Sequence, residues 1–86
     1  MKNKVLIELL VPEIDETYNV YLPINKRIGK CITLLIKAIN DINFSNFINN
    51  NECVLVNRIT GETYDKNLLI RNTNIRNGAT LILIKN

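Results

Sequence analysis

Few residues in this chain could do covalent or metal chemistry. Its 86 residues include two cysteines, Cys31 and Cys53, and no histidine. A structural zinc takes about four nitrogen or sulfur ligands, so two thiols fall short. The two cysteines are also too far apart in sequence to form a CxxC pair. Without histidine, general-base chemistry near neutral pH lacks its usual group. No GxxxxGK[ST] or GxGxxG loop is present to cradle a phosphate. Glu13, Asp15 and Glu16 lie close together, but a hard cation needs converging oxygen ligands. A solvated turn is the simpler reading of these three. The residues therefore predict no enzyme, no cofactor and no metal site.

The cysteines read better as packing residues. Cys31 falls in a helical apolar pattern, and Cys53 opens an apolar run. Both suit small buried hydrophobes, although a disulfide between them stays open in principle. Met1-Lys2-Asn3-Lys4 leads straight into Val5–Val11, which Glu8 interrupts and Pro12 follows. That stretch is too short and too charged for a signal peptide or a membrane span. A reducing, cytoplasmic location is expected.

Net charge is +3, with a sequence pI near 9.0. The lysines and arginines are spread along the chain, which favours solvated surface. Nucleic-acid binding is the alternative; it requires convergence, for example of Lys26, Arg27, Lys30 and Lys37 around a helix.

The surrounding elements follow from hydrophobic periodicity. Val5–Val11 reads as a strand with Val5, Ile7, Leu9 and Val11 facing the core. Leu6, Glu8 and Leu10 face the other way. Pro12–Glu16 is a turn. Thr17–Leu22 is a second strand, with Tyr18, Val20 and Leu22 on one side and Asn19 and Tyr21 on the other. Together they form a hairpin with a longer loop. Ile28–Ile42 is the one helix, with Ile28, Ile32, Leu35, Ile39 and Ile42 at spacings of three and four. Asn25 is its expected N-cap. Asn43–Glu52 is a polar connector from which Phe44, Phe47 and Ile48 fold back on the core. Cys53–Asn57 is a third strand, Gly61 supplies a turn, Thr63–Tyr64 begins a short fourth strand, and Thr80–Ile84 is the last.

Val5–Val11 and Thr80–Ile84 are the most continuously apolar strands, so they belong side by side in the sheet centre. The more polar Thr17–Leu22 and Thr63–Tyr64 belong at the edges. The order β-β-α-β-β-β, with one helix across one face of a mixed sheet, is an α+β β-grasp in a single domain over residues 1–86. A ferredoxin-like fold would need a second helix, for which no stripe is long enough.

The segment from Leu69 to Leu83 resembles the closing part of ubiquitin-like domains. Ile70 and Ile75 occupy its two apolar places, Asn77-Gly78 its turn, and Leu81 and Leu83 its last strand. Within that superfamily the chain is most similar to the bacterial YukD/EsaB group. It shares their length, their immediate start with the first strand, the step Ile75-Arg76-Asn77-Gly78, and Val56-Asn57 before Gly61 and Tyr64. The resemblance implies a cytosolic accessory or regulatory protein of a type VII (WXG100/ESX-like) secretion system. A secretion component is the implied partner, and a second copy of the chain stays open. Ubiquitin and the sulfur carriers end in Gly-Gly, whereas this chain ends Leu83-Ile84-Lys85-Asn86; conjugation and sulfur transfer are therefore not expected.

The binding surface is expected on the uncovered face of the sheet. If Leu81 and Leu83 face the helix, Ile82 and Ile84 face away, as do Leu6 and Leu10. One alternate pair from Val54, Leu55 and Val56 must join them. Leu6, Ile82 and Ile84 are the expected centre, with Lys4 and Lys85 on the rim. Large contiguous apolar patches are seldom left without a partner.

Overall fold

A computed structural model describes residues 3–43 and 53–85. Strand β1 (Lys4–Val11) pairs antiparallel with β2 (Glu16–Pro23), through a register running from Lys4 opposite Pro23 to Val11 opposite Glu16. Between them Pro12–Ile14 forms a short 3-10 turn. Asp15 closes it with φ +54, a left-handed conformation that aspartate tolerates better than most residues. Helix α1 (Ile28–Asn43) follows, then β3 (Cys53–Asn57) and β4 (Thr80–Lys85). Among the described residues the sheet has four strands, in the order β2-β1-β4-β3. β1 and β4 run parallel in its middle, and β3 joins β4 antiparallel. The two most apolar strands thus lie together, as their composition requires.

The helix and one face of the sheet share a continuous core. Ile7, Leu9, Val11, Leu22, Leu55, Leu81 and Leu83 are buried from the sheet side. Ile28, Cys31, Ile32, Leu35, Ile36 and Ile39 are buried from the helix. Val5, Tyr18 and Val20 pack against this core while partly exposed. Ile42 departs from the expected stripe and is 60% exposed. Its angle on the helix is suitable, but Asp41 beside it is exposed too. Among the described residues nothing packs over this last turn. Phe44, Phe47 and Ile48 lie outside the described residues.

The helix start also differs from expectation. Asn25 is exposed and stands three residues before the first helical residue, Ile28. The orphan amides find backbone carbonyls instead: Ile28 N–H donates to Leu68 O (2.8 Å) and Gly29 N–H to Lys66 O (3.0 Å). A distant loop therefore does the work of a side-chain cap. Gly29 eases this approach, since a Cβ there would meet the Lys66 Cβ and carbonyl O at a tight 3.3 Å.

Thr63–Tyr64 is reduced to a single bridge, Thr63 opposite Val56. Tyr64 N–H donates to Leu55 O (3.0 Å), and then the Asp65 carboxylate turns the chain by accepting from Asn67 N–H (2.8 Å). That turn leads to the helix N-terminus and prevents a longer strand. Tyr64 is itself buried. Its hydroxyl accepts from Asn57 Nδ2 (3.0 Å) and donates to Asn74 Oδ1 (2.6 Å), tying two loops together. Ile70 and Ile75 fill the end of the sandwich, at 0% and 1% exposure.

Candidate protein-binding surface

The stagger between the central strands decides what the open face looks like. Gly78 N–H donates to Leu6 O (2.9 Å), and Leu6 N–H donates to the Asn77 side-chain carbonyl (2.8 Å). Asn77 thereby stands in for a strand partner. Gly78, at φ +89, turns the chain into β4, a conformation suited to glycine. Pairing of β4 with β1 then begins with Thr80 opposite Glu8, followed by Leu81 opposite Leu9 and Ile82 opposite Leu10.

These registers lay out the sheet face opposite α1 in rows. Leu10, Ile82 and Val56 form one row across three strands, because Ile82 is opposite both Leu10 and Val56. Ile84 and Val54 form the next. The five side chains make one apolar cluster. Ile84 is exposed and the other four are half-buried. Beside the cluster runs a polar bar of Asn19, Glu8 and Thr80, in which the Thr80 hydroxyl reaches Glu8 Oε1 at 3.5 Å. Beyond the bar, Leu6 and Tyr21 are paired and both exposed.

Among the residues singled out from the sequence, Ile82 and Ile84 fall together as neighbours on β4. Leu6 shares their face but lies four residues from Leu10 along β1, about 13 Å at strand spacing. Glu8 separates it from the cluster. Lys4 follows Leu6 on the same face at the far end. Lys85 alternates to the opposite face from Ile84, and its Nζ lies 3.3 Å from Glu13 Oε1. Leu10, Val54 and Val56 complete the cluster in place of Leu6. Their alternation is visible in the sequence, but the register that sets Ile82 opposite Leu10 follows the Asn77–Gly78 junction.

Neither cysteine is in a disulfide, and both are buried. Burial raises the Cys31 thiol pKa, opposed in part by the Lys26 charge. A masked, hard-to-ionise thiol is a poor nucleophile. Among the described residues no cluster of three potential ligands could hold a metal, and no helix is long and apolar enough to cross a membrane.

No protein-family model matches the chain, and no curated protein matches it in sequence. Solved structures do match in shape. The ubiquitin-like domain of PLXNC1 superposes with a TM-score of 0.75 at 18% identity, covering 96% of this chain and 99% of that one. The ubiquitin of Caldiarchaeum subterraneum gives a TM-score of 0.70 at 11% identity, covering 96% and 94%. A chain of the ESX-5 inner membrane complex gives 0.80 at 13% identity; 98% of this chain is covered, but only 21% of that one. At such identities the likeness is one of fold. The fold is a ubiquitin-like β-grasp.

Proposed function

We propose that this chain works as one non-catalytic ubiquitin-like module, a cytoplasmic accessory or regulator of a type VII secretion system that docks on a protein of that machinery. The observation that carries the binding role is the cluster of Leu10, Val54, Val56, Ile82 and Ile84 on the sheet face opposite α1. An apolar cluster with a polar margin suits the centre and rim of a protein contact. Leu6 and Lys4 supply a second contact on the same face, past Glu8. Lys85 steadies the Pro12–Ile14 turn through Glu13. Support for the secretion role comes from the Ile75-Arg76-Asn77-Gly78 step and from the fold shared with part of an ESX-5 membrane complex.

The test replaces Ile82 and Ile84 together with glutamate. Circular dichroism checks that the variant folds. The tagged full chain is then used to capture proteins from its native cell. The wild-type chain should retain a membrane component of a type VII system, and the folded double variant should lose it. Equal retention by both would refute the sheet face as the contact, and retention of no such component by the wild type would refute the secretion role.

A further inference from the structure

Cations that are dispersed in the sequence converge at one end of the fold. Lys4 is opposite Pro23 at the end of the hairpin, and Ile24 N–H donates to Asn3 O (2.9 Å). The loop before β4 closes over the same end: Ile70 N–H donates to Lys26 O and Arg71 N–H to Ile24 O, each at 3.0 Å. Arg27 Nε donates to Asn67 O (3.2 Å). Lys4, Lys26, Arg27, Arg71 and Arg76 thus surround one pole. The carboxylates Glu13, Asp15 and Glu16 occupy the other end of the hairpin, about 23 Å away along the strands. Among the described residues the only ion pair, Lys85 to Glu13, is at that acidic end.

The basic pole has a shaped centre. Val5, Ile24, Ile75, Arg71 and Arg76 line a hollow of about 180 Å³. Its three aliphatic residues are partly or fully buried, and its two arginines are exposed. Arg76 Nη1 donates to Thr73 O and Ile75 O, both at 2.8 Å, which holds its guanidinium in place.

We propose that this hollow and its ring of cations receive an acidic segment of a partner protein, a carboxylate next to an apolar side chain. The apolar side chain fills the hollow, and Arg71 and Arg76 take the carboxylate. Arginine suits this role because its planar fork matches carboxylate geometry. A nucleic-acid backbone or an anionic bilayer would meet the charge but leave the aliphatic floor unused. The proposal rests on the protein-binding role above and adds a further contact at the end of the domain, separate from the Ile82 cluster.

The test titrates the isotope-labelled full chain with a blocked peptide of sequence DELED and follows backbone amide shifts. Shifts should centre on Val5, Ile24, Arg71, Ile75 and Arg76. The neutral peptide NQLQN and the leucine-free peptide DESED should each bind about tenfold more weakly, as should DELED to the Arg71→Glu variant. High salt should weaken binding likewise. The Ile82→Glu, Ile84→Glu variant should bind DELED like the wild type, so loss of the sheet contact and loss of the pole can be told apart. Four outcomes would overturn the proposal: no shifts with DELED, equal binding of NQLQN or DESED, shifts centred elsewhere, or stronger binding to single-stranded DNA or anionic vesicles than to DELED.

Discussion

Replacing Gly78 with alanine should weaken the fold where β4 enters the sheet. Its φ is +89, and a Cβ built there meets nothing within 4 Å. The change is therefore free of steric clash and acts on the backbone alone. Holding an L-residue in such a conformation costs about 1–2 kcal/mol. A chain of this size has a total stability of about 4–13 kcal/mol. Each kcal/mol lowers Tm by about 4–8 °C, so the expected fall is about 5–15 °C. The effect should also be localised. Relaxing Gly78 lengthens its bond to Leu6 O and slackens Glu8 N–H to Ala79 O (2.9 Å). Hydrogen exchange at Gly78 and Glu8 should accelerate beyond the global change. Gly61→Ala is the control, because Gly61 also has a positive φ (+77) and open space around it, but sits in a loop at the β3 edge. It should lower Tm without selective exchange at Glu8. Denaturant unfolding, thermal melts and exchange measured by NMR suffice. If Gly78→Ala unfolds like the wild type, or if Gly61→Ala loosens Glu8 equally, the junction does not set the register.

Other variants test the packing and the buried groups. Leu81→Ala removes a fully buried side chain and should cost about 3–5 kcal/mol, while the neighbouring Ile82→Ala should cost about 1 kcal/mol, both read by denaturant unfolding. Tyr64→Phe deletes the hydroxyl between Asn57 and Asn74 and should cost about 1–2 kcal/mol, with faster exchange in both loops. The raised Cys31 pKa makes the native state hold its proton more tightly than the unfolded chain does. That contribution is complete below the unfolded value, about 8.5, and is lost as pH rises towards the native one. Stability should fall above that pH, and Cys31→Ala should flatten the decline.

Periodicity carried much of this fold. The spacing of Ile28, Ile32, Leu35 and Ile39 gave the helix its buried side, and alternation along Val5–Val11 and Thr80–Ile84 separated the two faces. These patterns are local and repeat with the geometry of their element. Contacts between distant segments were not legible. Asn25 has the chemistry of a cap, yet carbonyls of Leu68 and Lys66 took that place because the loop could approach Gly29. Thr63–Tyr64 has strand-forming residues, but the Asp65 turn drew the chain away. Leu6 has the right face for the candidate site. It lies apart from Ile82 because Asn77 occupies its main-chain partner position and delays pairing to Glu8. The basic pole was hidden for the same reason, since Lys4, Arg27 and Arg71 meet only through long-range backbone bonds.

Methyl relaxation by a soluble paramagnetic probe, measured on the free full chain, tests most directly which side of the sheet is left open for recognition. Ile84 and Leu6 should broaden strongly and Ile82 to an intermediate degree, while Leu81 and Leu83 stay sharp. Since a one-residue slip exchanges the two faces of a strand, broadening of Leu81 and Leu83 with protection of Ile82 and Ile84 would contradict the account.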